Sequence, residues 1–167
     1  MYKQHLQNAI IKEIEICKRL YTKIPAHKMD FRPAPETRSV IELLQYLSFA
    51  GTAMLYFWLK EEDLNFSAFW GRLNTTAQQM KNEQFLPIMD DQIETVKNLF
   101  DQINEEELFQ KDVTYPWGAK ARLGEAIITT SVKWLAAYKL QLFLYLKQCT
   151  DQKLGTADAW VLTDLAM

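Results

Sequence analysis

Phe31-Arg32-Pro33-Ala34-Pro35-Glu36-Thr37-Arg38-Ser39-Val40-Ile41-Glu42-Leu43-Leu44-Gln45-Tyr46-Leu47 changes its physical character at Ser39. Before Ser39, Pro33 and Pro35 fix φ and withdraw backbone N–H donors, which holds the chain extended. From Val40 onward nothing interrupts a helix. The Ser39 hydroxyl is placed to accept from an unpaired N–H of the first turn, and Glu42 opposes the positive helix end. The helix runs to about Leu59 and is apolar on most sides, through Leu43, Leu44, Tyr46, Leu47, Phe49, Met54, Leu55, Tyr56, Phe57 and Trp58. A helix this apolar has to be buried by others.

The rest of the chain supplies them. Upstream, from about Tyr2 to Ile24, Leu6, Ile10, Ile14, Cys17, Tyr21 and Ile24 recur at steps of three or four, and Pro25 ends the pattern. Downstream, Lys60 to Met89 is less periodic, with a short helix over Ser67 to Met80. A third long helix is read from about Asp90. There Ile93, Val96, Phe100 and Ile103 form an apolar stripe, and Asp90 and Asp91 suit a helix start. Glu105, Glu106 and Glu107 read as a solvated turn. Tyr115-Pro116-Trp117-Gly118 breaks the helical pattern, and Arg122-Leu123-Gly124-Glu125 opens a fourth helix reaching about Cys149. The tail from Thr150 includes Trp160, Val161 and Leu162 and is expected to fold back over the bundle. The expected class is therefore all-α: a four-helix bundle with a long connection between helices 2 and 3. It is read as one domain over residues 1–167, with its core in roughly 2–150 and a tail over 151–167.

Composition narrows the function classes. The 19 basic and 21 acidic residues are interspersed and leave a formal charge of -2, so no basic stripe invites nucleic acid or anionic lipid, and neither partner is expected. Lys3, Lys12, Glu13, Glu15, Lys18 and Arg19 interrupt any secretion-signal core, and no run of about 18 apolar residues is read. Cys17 and Cys149 have neither the number nor the spacing of a disulfide framework or zinc knuckle, so both are expected to be buried thiols. A cytoplasmic location is the corresponding expectation. The apolar surplus on the second and fourth helices also leaves room for a homodimer.

The quoted stretch resembles the DinB/YfiT-like superfamily, in which a Pro-containing loop leads to Ser, then Glu-Leu-Leu, one further residue, and a metal-binding His. Here that position is Tyr46. A second stretch extends the resemblance: Tyr115-Pro116-Trp117-Gly118, then Leu123-Gly124-Glu125-Ala126, then Trp134-Leu135-Ala136-Ala137-Tyr138-Lys139-Leu140-Gln141. Family members tend to show a Trp-Gly turn, a similar helix start, and two His four residues apart before a basic residue, Gly and Gln. Counting back from Gln141 puts the two His positions at Trp134 and Tyr138. The resemblance implies a helical bundle related to divalent-metal-dependent thiol transferases and isomerases, with the three ligands replaced.

The replacements alter the chemistry. An indole N–H has no lone pair to give a metal, and phenols with an ordinary pKa of about 10 are neutral, weak ligands at neutral pH. A catalytic zinc has three good protein ligands. No metal and no cofactor is therefore expected. The two histidines, His5 and His27, match no ligand position and read as surface or packing residues. Asp90 and Asp91 read as helix-capping residues rather than a catalytic pair, and the Ser131 hydroxyl as bonded back to the preceding turn. Two readings of Tyr46, Trp134 and Tyr138 stay open: a structural plug of rings, or a metal-free pocket for a small organic ligand. The functional expectation is a small-molecule-binding or interaction protein. The alternative is a metal-independent enzyme related to thiol-dependent S-transferases or hydrolases, with a pocket around Tyr46 and Tyr138.

Overall fold

The computed structural model describes residues 1–61 and 65–162, and these are mostly helical. The first helix, α1 (Tyr2–Tyr21), buries Leu6, Ile10, Ile14, Cys17 and Leu20 along one stripe. After a short 3-10 turn at Ala26–Lys28 the chain enters α2 (Val40–Ala50). Its first N–H groups all find partners. Val40 N–H donates to the Phe31 carbonyl at 3.0 Å and Ile41 N–H to that of Met29 at 2.9 Å. Glu42 N–H donates to Ser39 Oγ, and the Glu42 carboxylate accepts from Ser39 N–H at 2.8 Å. This reciprocal cap leaves no orphan donor at the buried start of the helix.

The single helix expected to Leu59 is broken. Between α2 and α3 (Ala53–Lys60) the Leu47 carbonyl and the Gly51 N–H, partners in an unbroken helix, are separated. Buried Gln92 takes both: its Nε2 donates to Leu47 O at 3.1 Å and its Oε1 accepts from Gly51 N–H at 2.8 Å. Side-chain insertion into the ladder is an established cause of a kink. A Cβ at position 51 would lie 2.8 Å from both Gln92 Oε1 and Leu135 Cδ1, so only glycine leaves the carboxamide room. Val40–Lys60 is, by length and composition, apolar enough to cross a bilayer, which the reading of the sequence had excluded. Most of it is nevertheless buried within the protein.

The loosely periodic connection holds α4 (Phe66–Gln78), close to the expected short helix. The next helix, α5 (Phe85–Asp101), starts a turn and a half earlier than its apolar stripe suggested. Pro87 stands at its third position, where a missing N–H removes no helical bond. Asp90 and Asp91 are thus interior rather than capping residues, and Asp90 pairs with Lys18 at 2.5 Å. The acidic run is not a turn either. It forms the first turn of α6 (Glu105–Gln110), where Asn104 accepts from Glu107 N–H and Glu107 from Asn104 N–H.

A small antiparallel hairpin follows, β1 (Asp112–Thr114) with β2 (Lys120–Arg122). Its turn is closed by Gly118 N–H to Tyr115 O at 2.9 Å, with Gly118 at φ 89°, a conformation glycine adopts without cost. Trp58 Nε1 donates to Thr114 O at 3.0 Å and ties α3 to the hairpin. The last long helix comprises α7 (Leu123–Ile127), a π turn over Ile128–Val132, and α8 (Lys133–Cys149). The π turn falls within the β-branched run Ile127-Ile128-Thr129-Thr130 and Val132, residues with a slightly lower preference for the α-helix. Thr130 Oγ1 bonds back to Ala126 O at 2.8 Å, whereas buried Ser131 Oγ has no such partner, contrary to expectation.

In space, α1 packs between α5 and α8, and α2 also packs against α5 and α8, while α4 covers α2 and α3 from outside. Short α9 (Ala157–Trp160) lies over α1 and α8, as expected of the tail; residues 163–167 lie outside the described residues. Beneath α9 is a buried ion pair, Lys139 Nζ to Glu13 Oε2 at 2.6 Å, with the Trp160 ring centroid 5.1 Å from the ammonium. Asp158 holds α9 down through Lys23 at 3.2 Å.

Two substitutions test this frame. Gln92→Leu keeps volume but strands Leu47 O and Gly51 N–H, and should cost about 2–4 kcal/mol, read from the urea midpoint at unchanged slope. A loss below about 0.5 kcal/mol would mean the helix re-forms without the carboxamide. Glu13→Ala leaves a buried ammonium unpaired and should cost about 3 kcal/mol, whereas the double change Glu13→Leu with Lys139→Met should be close to neutral. Equal losses in the single and double variants would contradict this account.

Candidate ligand-binding site

The residues singled out from the sequence come from two helices. Tyr46 and Phe49 leave the same side of α2, one turn apart, and Trp134 and Tyr138 leave the same side of α8. The π turn matters here, because one extra residue rotates everything after it by about 100° relative to α7.

Tyr46 and Tyr138 meet directly, with ring centroids 4.3 Å apart. Trp134 joins them through a residue not singled out beforehand, Trp70 of α4, whose ring lies 5.7 Å from Trp134 and 6.1 Å from Tyr46. Phe49 and Phe66 complete the cluster, each 5.3 Å from Trp70. Aromatic pairs of this kind contribute about 0.5–1.5 kcal/mol each beyond area burial, so the rings favour closure over an empty centre. The alternatives of plug and pocket therefore separate in space: rings close the interval between α2 and α8, and open volume lies one layer outward.

That volume is a groove of about 430 Å³ lined by Arg38, Glu42, Gln45, Tyr46, Phe49, Asn74, Ala77 and Gln78. Arg38 is the second residue missed from sequence. Its guanidinium carbon stands 4.8 Å from the Tyr46 ring centroid and 5.4 Å from that of Tyr138, within cation–π range of both. Glu42 does not neutralise it, since its carboxylate is engaged by Arg32 at 2.7 Å and by Ser39 N–H, and these contacts hold its pKa below the ordinary carboxylate value. The spacing of Phe66, Phe69 and Trp70 on α4 was a legible sign of a packing face. Nothing in the sequence marked Arg38 beyond its place before the cap.

Burial, reinforced by the neighbouring Tyr138 phenol, pushes the Tyr46 hydroxyl well above the ordinary phenol range, against a smaller opposing pull from Arg38. Tyr46 is therefore a neutral hydrogen-bonding group at physiological pH. Neither it nor the Trp134 indole suits a metal, and the guanidinium over the rings opposes a second cation. The donor set does not fit the ion that the family resemblance implies. Among the described residues, no three His, Cys, Asp or Glu side chains are grouped to hold one elsewhere. His5 and His27 are exposed.

Cys17 and Cys149 are buried and unpaired with each other, and desolvation raises both thiols above their ordinary range. Neither is activated as a nucleophile. Much of the apolar surplus that left room for a second copy is consumed in the core, although Leu140 and Leu144 remain exposed on α8. No family model matches the chain, and neither the curated proteins nor the solved structures contain a significant match to it.

Proposed function

We propose that this chain is a bundle of the DinB/YfiT-like type in which the metal has given way to an aromatic cluster, and that it binds a small organic molecule in the groove between α2 and α4. The two Pro-to-helix and Trp-Gly-to-helix landmarks support the family reading, as does the packing of α1, α2–α3, α5 and α7–α8 around one core. One observation carries the functional reading: the Arg38 guanidinium and the Tyr46 ring beside it line a groove whose wall mixes rings with amide groups. The wall is mostly polar, with Arg38, Glu42, Gln45, Asn74 and Gln78 set against Tyr46, Phe49 and Ala77, so polar groups rather than apolar burial would fix a ligand there. The unpaired thiols agree with a cytoplasmic setting.

A metal-independent transferase or hydrolase is less well supported. It needs Tyr46 or Tyr138 to exchange a proton during turnover, and general acids work best with a pKa near the operating pH. Tyr46 is displaced in the opposite direction.

Protein prepared without chelator or histidine tag should retain far less than one equivalent of zinc, nickel or iron by elemental analysis. Retention of about one equivalent, lost on changing Tyr46 and Tyr138 to Phe, would overturn the metal-free reading. A thermal-shift screen of small organic molecules should yield stabilising compounds, since a ligand at a hundred times its Kd adds about 2.7 kcal/mol. Asn74→Trp, which fills the groove from α4, should abolish those shifts. Stabilisation that survives Asn74→Trp, or a screen with no stabilising compound, would count against the groove.

A further inference from the structure

Charge bookkeeping along the groove narrows the ligand, on the premise that the groove between α2 and α4 is a binding site. Arg32 and Glu42 are paired with one another. Gln45 spends its Nε2 on the carbonyls of Gln78 and Met80, both at 3.2 Å, leaving its side-chain oxygen. Arg38 makes ring contacts and, among the described residues, no ion pair or hydrogen bond. The side-chain amides of Asn74 and Gln78, one turn apart on α4, likewise have no hydrogen-bond partner among the described residues.

The groove therefore presents one uncommitted positive charge, two uncommitted amides and an aromatic floor. We infer that its ligand is a small, flat organic carboxylate. Its carboxylate pairs with the Arg38 guanidinium, its body rests against Tyr46 and Phe49, and a polar substituent reaches Asn74 or Gln78. A guanidinium offers two parallel N–H donors to a carboxylate, and stacking on the phenol rings pre-orients it for that contact. A cationic ligand would instead meet Arg38 as a like charge, with Glu42 already occupied.

Isothermal titration with 4-hydroxybenzoate and its neutral counterpart 4-hydroxybenzamide separates the charge from the shape. The carboxylate should bind at least about tenfold more tightly, the expected gain from a hydrogen-bonded charge, and the preference should shrink with added salt. Arg38→Gln, a change at an exposed residue, should remove the preference by weakening the carboxylate alone, and Arg38→Lys should restore it only in part. Equal binding of both compounds to the unchanged protein would overturn the carboxylate inference and leave the groove intact as a site. Binding of inorganic phosphate as tight as that of the carboxylate would reduce it to a general anion contact and overturn the flat-ligand part. Absence of binding by either compound, in protein whose thermal-shift ligands are blocked by Asn74→Trp, would also reject it without touching the reading of the groove. Loss of the Asn74→Trp effect itself would reject the groove.

Discussion

The Gln92 carboxamide set into the backbone ladder between Leu47 and Gly51 is the contact on which the arrangement of the long helices turns. The segment from Val40 to Lys60 is apolar and mostly buried, and its helix is interrupted at Gly51. Broken at Gly51, its first half packs on α4, α5 and α8 and its second half on α4, α5 and the π turn. The break exposes one buried carbonyl and one buried N–H, each of which would cost about 1–3 kcal/mol unpaired. One side chain from α5 satisfies both, so the kink and the docking of α5 are the same event. Glycine at 51 is a consequence, because a methyl group there would collide with the carboxamide.

The same economy of polar groups governs the aromatic cluster. A resemblance to metal-binding bundles directs attention to three positions, and two of them, Tyr46 and Tyr138, are in ring contact. The Arg38 guanidinium stands with them. Arg38 brings positive charge to the ring faces without needing deprotonated ligands, and burial keeps Tyr46 from supplying one. The groups gathered at the site are thus equipped for stacking and hydrogen bonding.

Electrostatics elsewhere follows a different rule. Lys139 and Glu13 are sequestered beneath α9, where mutual attraction competes with the cost of leaving water, so the pair adds little net stability while being costly to break. Its position makes the tail part of the folded structure. The Trp160 face lies over the ammonium, and Asp158 reaches Arg19 of α1 and Lys23 just beyond it, residues more than a hundred positions away.

The sequence by itself determined what depends on neighbours a few residues apart: the stripe of α1, the Ser39 and Glu42 cap, the all-helical class, and the pairing of Trp134 with Tyr138 on one helix face. Local signals misled where they had two meanings. Asp90 and Asp91 suit a helix start but lie inside α5, because Pro87 is harmless in a first turn. Glu105 to Glu107 suit a solvated turn but form a capped helix, because Asn104 supplies the acceptor. Only the tertiary structure decided the kink at Gly51, the partnership of Trp70 with Trp134 and Tyr46, and the seating of Arg38 on the phenol rings. Each depends on groups far apart in the chain arriving at one place, and such encounters leave no periodicity in the sequence from which they could be read.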